Sequence, residues 1–548
     1  MTTSGNPYHV HLTSSRQNQV LSRVPAFVMW VQLLGIFVAV YVTQKIIAFR
    51  RAARSVGNVP GYRSLINRNN FLGVLLPRIP GLTLGPNWTF DDKHSVYAKN
   101  DCDILTLVGA FPCKPDIVLA DGAAIKEVTT YRARFPKPVD LYVVLSFFGY
   151  NIVASEGEDW KRYRKISAPA FSERNNKLVW DETVALMNDL LDDVWKNQQE
   201  ITFALFVIST AGFGHKLTWR GGSVVPPRHK MTFKDALYTV TSYIIPKILL
   251  PDWAMGLTKK TRHIALGFDE LKMHMVEMVE TRMKSEKVER DDLFSNLLDA
   301  NSDEGGGLSI DELIAHTLCF TLALLALYPD EQEKLYQHII SVVPDGRTPT
   351  SHKLCADVRA NAPPHPHHGV TIIPKRTAED TTLTTTNSRG ETIVVPIPEG
   401  TDVHINVPGL HYNPKYWADP HEFKPDRFLS NDWNKDAFIP FSGGPRACLG
   451  RKFAETEALA CLTMLVSRYK VTVKEEPRYT NETFEQRKER LLKTEPVITL
   501  TVLHFSVTVK FGRLVSAAFK TLRQVESLGM LAAPKKRNPA KLKSLDLF

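Results

Sequence analysis

A single cysteine stands in a glycine-rich loop that leads directly into a helix. Residues 441–450 read FSGGPRACLG, with Cys448 two residues after Arg446. A cysteine just before a helix N-terminus has its thiolate favoured by the helix dipole and by free N–H groups. Gly444 and Gly450 allow backbone geometry and close approach that a Cβ would block. Arg446 adds positive charge for a bound anion. The loop is therefore predicted to hold a thiolate beneath a large, partly anionic group.

Haem meets both requirements, because its iron takes a thiolate and its propionates take arginine. Cys448 is then the predicted axial ligand of the iron, and Phe441 and both glycines belong to the same cofactor-binding loop. Two other interpretations remain open, namely a buried structural cysteine and a phosphate-binding loop. The full pattern F-x-x-G-x-R-x-C-x-G favours haem over both.

The segment FSGGPRACLGRKFAETE resembles the haem-ligand loop of the cytochrome P450 family. HYNPKYWADPHEFKPDRF, which begins at His411, resembles the meander of that family, with Arg427 in its arginine position. EGEDWKRYRKISAPAF resembles the W-x-x-x-R helix, with Trp160 and Arg164 in the positions that reach a haem propionate. LALLALYPDEQEKLYQHI resembles the helix after the long central one.

The resemblance extends over residues 24–510 and implies a mainly α cytochrome P450 fold with small peripheral β-sheets around a buried haem b. The implied enzyme is a haem-thiolate monooxygenase, whose thiolate pushes electron density onto iron to favour O–O cleavage. It inserts one atom of O2 into an organic, lipophilic substrate, with electrons from an NADPH-dependent flavoprotein reductase. Five basic residues are candidates for the reductase-facing surface, with ordinary solvated side chains as the alternative: Lys161, Arg162, Lys165, Arg451 and Lys452.

The central helix departs from the family pattern A-G-x-E/D-T-T, whose acid and threonine handle protons during O2 activation. This chain reads GGGLSIDELIAHTLCFTLALLALYPDE. Sliding the motif back makes Glu312 a candidate catalytic acid, but Leu313 then takes the place of the threonine. Ser309–Glu312 is also a capping box, which puts Glu312 in the first turn of a helix of about 18 residues. The sequence favours loss of the middle of this helix, and Thr317 is assigned no catalytic role.

The E-x-x-R helix of the family is missing as well. Its place is taken by SHKLCADVRANAPPHPHHGVTI, whose Arg359 lacks a glutamate partner and whose prolines forbid a helix. The family's Glu/Arg pair bonds to the meander arginine, so Arg427 is predicted to lose those partners. Three histidines in this segment have no carboxylate nearby and are predicted to form a loop rather than a metal site: His365, His367 and His368.

Both departures are abrupt and have close family matches on either side. This pattern indicates an altered transcript or misplaced intron boundaries. Without the threonine, oxygen activation is expected to be uncoupled, and without E-x-x-R, haem incorporation is expected to suffer. Two alternatives to an active enzyme therefore stay open: a haem-binding relative with impaired oxygen chemistry, and a non-catalytic membrane haem protein.

Composition excludes several other classes of protein. The chain has 548 residues, 43% hydrophobic and 23% charged, as in folded proteins. Its six cysteines form no C-x-x-C pair, which argues against a zinc ribbon, a thioredoxin-type site and a disulfide scaffold. The net charge of +10 fits a generally basic surface or an anionic partner such as a membrane. No arginine-rich arm interleaved with aromatic residues is present, so nucleic acid is not an expected partner.

The N-terminal region contains VPAFVMWVQLLGIFVAVYVT, 20 residues without a charge at 24–43. Such a helix crosses a hydrocarbon core of about 30 Å. More basic residues follow it than precede it, so the body is predicted to face the cytosol. A single-pass anchor in the endoplasmic reticulum membrane is predicted, with a cleaved signal peptide and a buried core helix as the alternatives.

The predicted organisation follows from these features. Elements expected in the body are two strands within Ile104–Leu119, mostly helix over 156–300, strands over 391–407 and a helix from Leu449. The predicted units are a short lumenal N-terminus (1–23), the transmembrane anchor (24–43), a basic and Pro-Gly hinge (44–62), the haem-thiolate monooxygenase domain (63–514) with disrupted segments within 304–375, and a basic C-terminal extension without an assigned role (515–548).

Overall fold

A computed structural model describes residues 15–68, 70, 72–73, 76–145, 151–191, 225–243, 246–247, 250–284, 310–343, 370–430, 432–473, 477–497, 500–503, 509–512 and 545–546. The α-helices in these ranges are α1 (Ser15–Ser55), α2 (Trp88–Asp92), α3 (Ser95–Asn100), α4 (Gly122–Thr130), α5 (Gly157–Ser167), α6 (Glu173–Asp189), α7 (Phe233–Ser242), α8 (Lys259–Lys284), α9 (Ile310–Leu327), α10 (Pro329–Val342), α11 (Val407–His411), α12 (Arg451–Val466) and α13 (Phe484–Leu491). The strands are β1 (Gly61–Ile66), β2 (Ile104–Phe111), β3 (Pro115–Leu119), β4 (Ile372–Arg376), β5 (Thr381–Thr386), β6 (Thr392–Ile397), β7 (Asp402–Asn406), β8 (Lys470–Val473), β9 (Thr494–Val497), β10 (Leu500–Leu503), β11 (Val509–Gly512) and β12 (Leu545–Asp546).

The N-terminal helix α1 presents a run of exposed apolar side chains from Val28 to Val42. Within Val28–Ser55, an 18-residue window has a mean hydropathy of 1.7, and none of its residues is buried. The stretch is long and apolar enough to cross a membrane. The helix continues to Ser55 without a break and contacts the body at Tyr41 and Lys45. There the Tyr41 ring stacks 6.5 Å from Phe111 at the end of β2, and Nζ of Lys45 lies 4.8 Å from the centroid of Phe111. The candidate membrane helix is thus in direct contact with the sheet.

The largest sheet has the strand order β1-β2-β3-β7-β4. Strands β2 and β3 pair antiparallel, with Ile104 opposite Leu119, which confirms the two strands predicted there. Helix α4 follows β3 at once, because the side chain of Asp121 caps it by accepting from the backbone N–H of Ala124 at 3.0 Å. This helix supports the glycine-rich loop described below.

Helix α12 lies at the centre of the helical part of the body. It packs against α6 and α9, and most of its side chains are buried. Within the described residues helix α9 runs from Ile310 to Leu327 and includes Glu312; the residues before Ile310 are outside the described ranges, so the predicted start of the helix stays a prediction. The side chains of 310–317 lie outside the described residues, so the candidate role of Glu312 stays a prediction. His365, His367, His368 and Arg359 lie outside them too, as does the extension 515–544.

One side chain of α12 is an ionisable group in an apolar position. Glu457 is fully buried, and neither carboxylate oxygen has a hydrogen-bond partner among the described residues. Burial raises the pKa of this carboxyl well above its ordinary value. One turn later Cys461 is fully buried as well, and burial, with Glu457 second, raises the pKa of its thiol. The folded protein therefore keeps Glu457 protonated in a region where a charge would be costly.

Replacing Glu457 by glutamine is expected to stabilise the protein at pH 7–8. The folded carboxyl binds its proton more tightly than the unfolded one, so stability falls as pH rises through and above the ordinary carboxyl range. Each unit of pKa elevation costs about 1.4 kcal/mol. The neutral amide escapes this loss. Urea unfolding from pH 4 to 8 measures the free energy of unfolding of both proteins. The variant's excess over the wild type should be near zero at pH 4 and should grow with pH.

The matched control is Glu455→Gln on the same helix, since Glu455 accepts from Nε of Arg451 at 2.8 Å and is not in an apolar site. The free energy of unfolding of Glu455→Gln should not rise above that of the wild type as the pH increases. A Glu457→Gln protein that is less stable than the wild type at every pH would mean that the carboxylate has a favourable ionic partner, and the interpretation would be wrong.

Candidate cofactor site

The loop that carries Cys448 is closed by two backbone hydrogen bonds. The N–H of Cys448 donates to the carbonyl of Phe441 at 3.0 Å, and the N–H of Ala447 donates to Gly444 at 3.0 Å. Helix α12 begins at Arg451, and the N–H of Ala454 donates to the carbonyl of Gly450 at 2.9 Å. Cys448 is thus held just before a helix N-terminus, as the sequence predicts.

The two glycines singled out in the loop play different parts. Gly444 has φ +64°, and a Cβ added to it would lie 2.1 Å from the carbonyl oxygen of Thr129 at the end of α4. Both its conformation and its contact therefore require glycine. Gly450 has φ −79°, which any residue adopts, so the expectation that its backbone geometry needs glycine is wrong.

The protein without its cofactor does not favour the thiolate of Cys448. Burial raises the pKa of this thiol, and the opposing effects of the Gly450 backbone N–H and of the Arg164 charge are smaller. The expected help from the helix N-terminus is present but is outweighed by desolvation. A metal ion bound to the sulfur would supply the missing stabilisation, because coordination deprotonates a thiol.

Trp160 lies at the centre of a group of guanidinium side chains. It sits on α5 with 6% of its surface exposed. The guanidinium carbon of Arg446 lies 4.2 Å from its ring centroid, that of Arg132 4.5 Å and that of Arg164 5.6 Å. Arg164 also reaches the carbonyl of Ala447 at 3.4 Å. The structure therefore brings Trp160, Arg164 and Arg446 together beside the loop, as their spacing in the sequence suggests.

Two lysines add to this positive cluster, and neither was singled out in the sequence. Lys375 on β4 is buried, and burial followed by the charge of Arg446 lowers its pKa to about 8. Burial and Arg446 also lower the pKa of Lys137, to about 7. Nζ of Lys137 donates to the carbonyl of Val153 at 2.7 Å. One carboxylate, Glu156, forms ion pairs with Arg446 and Arg132.

This cation cluster comprises Arg132, Lys137, Arg164, Lys375 and Arg446. Its charge exceeds what Glu156 balances, and some of its donors lack acceptors. Nε of Arg446 and Nη1 of Arg132 are buried without a hydrogen bond to any described residue. Such an unmade bond costs about 1–3 kcal/mol. A bound dianion would accept these donors, so the residues present fit the two propionates of a haem whose iron faces Cys448.

Comparison with known proteins agrees with this geometry. The family model described as Cytochrome P450 matches residues 111–356 and 368–502. The chain belongs to the cytochrome P450 family. Members of this family bind haem b, and the enzymes among them are monooxygenases.

The curated relatives carry the same name. Cytochrome P450 monooxygenase 124 of Postia placenta is 46% identical over 512 residues, covering 86% of this chain and 97% of the relative. Cytochrome P450 monooxygenase ORF6 of Penicillium roqueforti is 26% identical over 469 residues, covering 71% of this chain and 79% of the relative. Among solved structures, the cytochrome P450DA heme domain superposes with a TM-score of 0.61 at 18% identity, covering 83% of this chain and 97% of that one, which shows the fold.

The family match is interrupted at residues 357–367, within the segment that lacks E-x-x-R. Arg427 of the meander is nevertheless well bonded in the structure. Its Nε donates to the carbonyl of Lys424 at 3.0 Å, and its Nη2 donates to those of Glu422 and Asp419 at 3.2 and 3.3 Å. Backbone carbonyls of the meander itself thus serve the arginine, where the family uses the Glu/Arg pair.

Sequence reasoning missed Arg132, Lys137, Lys375 and Glu156. Arg132 and Lys137 lie on the loop after α4 and Glu156 caps α5, whereas Lys375 lies on β4, far later in the chain. Glu156 could have been predicted as a helix-capping residue, because the acidic segment EGEDW is typical of a helix start. Nothing in the sequence distinguishes Lys137 or Lys375 from a surface lysine, since their burial arises only when β4 packs beside the loop.

Proposed function

We propose that this chain is a membrane-anchored haem-thiolate monooxygenase that inserts one atom of O2 into a lipophilic organic substrate. The observation that supports it best is the cation cluster with buried, unbonded guanidinium N–H groups beside the Cys448 loop. When bound, the haem supplies the oxygen chemistry. Electrons come from an NADPH-dependent reductase, and the anchor is α1 in the endoplasmic reticulum membrane, with the body facing the cytosol. The domain boundaries predicted above belong to this proposal.

The chain's own residues have separate roles in this proposal. Cys448 is the axial ligand of the iron, and Phe441, Gly444 and Gly450 belong to the loop that carries it. Arg446 and Arg164 would hold the propionates, and Trp160 packs beside both guanidinium groups. Arg164 also fixes the loop through the Ala447 carbonyl. Together these residues would hold the haem and supply a thiolate to its iron.

A basic surface surrounds the sulfur side of the site. Lys161, Arg162, Arg451 and Lys452 expose 52–66% of their side chains. Each also pairs with an acid of this chain, for example Nε of Arg451 with Glu455 at 2.8 Å. We propose that the reductase competes for these cations, together with Lys165. Exposed pairs of this kind are weak, so a partner's carboxylates can replace them.

The proposed activity is tested with the full-length chain in membranes containing a flavoprotein reductase. Reduced, CO-bound protein should show the red-shifted Soret band of thiolate-ligated haem. A lipophilic test substrate should then be hydroxylated in proportion to NADPH consumed. Haem uptake with NADPH oxidised, but with O2 reduced only to peroxide or water and no product formed, would favour the impaired relative. A protein that binds haem but accepts no electrons would be the non-catalytic haem protein.

Lys375→Met is expected to weaken haem binding about tenfold and to stabilise the haem-free protein. The variant removes one buried cation that repels Arg446 when no anion is bound, but attracts the propionates when haem is present. A tenfold change corresponds to about 1.4 kcal/mol. Haem transfer to a haem-scavenging globin measures the first effect, and thermal unfolding of the haem-free protein measures the second.

Exposed Lys126, which pairs with Asp436 at 2.9 Å, provides the control variant Lys126→Met. Lys126→Met should change neither the haem affinity nor the stability of the haem-free protein. The pH dependence gives an independent check. Lys137 and Lys375, with pKa values near 7 and 8 in the haem-free protein, lose protons as pH rises. Haem affinity of the wild type should therefore fall relative to that of Lys375→Met between pH 7 and 9, because the proton that Cys448 releases on binding affects both proteins alike; identical slopes would contradict the assignment.

A further inference from the structure

Far along the chain from Cys448, two histidines and two glutamates meet where the segment before α7 crosses α8. Glu270, His274 and Glu277 are at positions i, i+4 and i+7 of α8, so they share one helix face. His229 comes from the turn that precedes α7. One ligand atom each of His229, Glu270 and His274 lies within 4.8 Å of the other two. Nothing in the proposed monooxygenase reaction uses this cluster.

The hydrogen bonds of His274 fix its tautomer. Its Nε2 lies 3.1 Å from the carbonyl oxygen of Met231. Since a carbonyl oxygen only accepts, Nε2 carries the proton and Nδ1 carries a lone pair. No hydrogen bond joins this Nδ1 to a described residue. A histidine whose one nitrogen donates to a carbonyl while the other is a free base has the arrangement of a metal ligand.

His229 is held between two carboxylates. Its Nδ1 lies 2.9 Å from Oε2 of Glu270, and its Nε2 lies 2.8 Å from Oε2 of Glu277. Oε1 of Glu270 accepts from the backbone N–H of Lys230 at 2.9 Å, which orients that carboxylate. A cation that replaced the proton between Nδ1 and Glu270 would leave the bond from Nε2 to Glu277 intact. His229 would then also have the outer carboxylate partner common among metal-bound histidines.

We propose that Nδ1 of His229, Oε2 of Glu270 and Nδ1 of His274 form a site for a divalent metal of the zinc class. Two imidazoles and one carboxylate form a ligand set found in zinc sites that keep a fourth position for water. Calcium and magnesium prefer oxygen ligands alone. The side chains of His229 and Glu270 are 2% and 3% exposed, whereas that of Glu277 is 54% exposed and marks the side from which the ion enters.

Binding requires one local movement. The two imidazole rings stack with centroids 3.5 Å apart and planes 3° from parallel. Because a ring nitrogen binds metal in the ring plane, the rings must tilt until the two lone pairs converge. The ring of Phe233 packs edge-on against His274, with 5.7 Å between the ring centroids. The His274 ring is therefore free to tilt only away from Phe233. The bound ion would join the turn before α7 to α8, and so stiffen the packing of these two helices.

The test uses full-length, haem-loaded protein in detergent, freed of loosely bound metals with a chelator. Zinc is titrated by calorimetry and counted by mass spectrometry. We expect wild-type protein to bind one zinc that is lost in His274→Gln and in Glu270→Gln. Zinc K-edge absorption should show only nitrogen and oxygen ligands, at metal–ligand distances of about 2.0–2.1 Å. Zinc should raise the melting temperature of the wild type but not of these two variants.

His263→Gln is the matched control, because His263 is exposed on the same helix and outside the cluster. It should keep the zinc and the rise in melting temperature. The CO-bound spectrum of every variant should equal that of the wild type, which separates this site from the haem site. Equal zinc binding by wild type, His274→Gln and Glu270→Gln would overturn the proposal. Sulfur ligation in the absorption spectrum, or no zinc bound by the wild type, would overturn it too.

Discussion

Cys448→Ala is expected to abolish the red-shifted Soret band of the reduced, CO-bound protein and to reduce monooxygenase activity to background. Alanine removes the sulfur without adding bulk to a loop that is closed by backbone hydrogen bonds, so the loop should keep its shape. The cation cluster is unchanged, and some haem should still bind through its propionates. The measurement is the CO difference spectrum at equal haem content, followed by product formation with the reductase.

The matched control is Cys113→Ala, since Cys113 is a partly buried free cysteine that donates to the Ala110 carbonyl at 2.8 Å. This variant should keep both the Soret band and the activity. A Cys448→Ala protein that still shows the thiolate band would mean that another cysteine reaches the iron, and the assigned ligand would be wrong. Complete loss of haem in Cys448→Ala would instead mean that the cation cluster alone holds no cofactor.

The parts of the site predicted from sequence are those encoded by short, local patterns. The spacing of Trp160 and Arg164, for example, puts both on one face of α5. The loop before α12 is likewise a contiguous motif. Each of these depends on residues within one or two turns, where periodicity and capping rules apply.

The parts that sequence reasoning missed arise from contacts between distant segments. Arg132 and Lys375 are more than 240 residues apart, yet the charge of Arg132 acts on Lys375 in the folded protein. The pKa of Cys448 reflects desolvation by neighbours that no local pattern reveals. Arg427 bonds to backbone carbonyls of the meander, which the sequence analysis did not predict. Long-range burial decided the outcomes at Lys375 and Cys448, whereas the bonds of Arg427 are local.

Gly444→Ala is expected to be among the most damaging single substitutions in the cofactor loop. Two costs combine at this position. A positive φ costs a residue with a Cβ about 1–2 kcal/mol. The new Cβ would also lie 2.1 Å from the Thr129 carbonyl oxygen, and such overpacking typically costs a further 1–3 kcal/mol. Gly390→Ala isolates the first cost, because Gly390 has φ +79° and no atom within 4 Å of the added Cβ. The free energy of unfolding measured in urea and the haem content should both be lower in Gly444→Ala than in Gly390→Ala.

A second comparison identifies the atom responsible. A Cβ on Gly443 would meet the Thr129 side chain, with Oγ1 at 3.3 Å, whereas a Cβ on Gly444 meets the backbone oxygen of the same residue. Thr129→Ala should therefore relieve much of the defect of Gly443→Ala and none of that of Gly444→Ala. Equal relief of both, or equal damage in Gly444→Ala and Gly390→Ala, would show that the loop does not rest on α4. Unequal relief would establish that the end of α4 sets the position of the loop that presents Cys448.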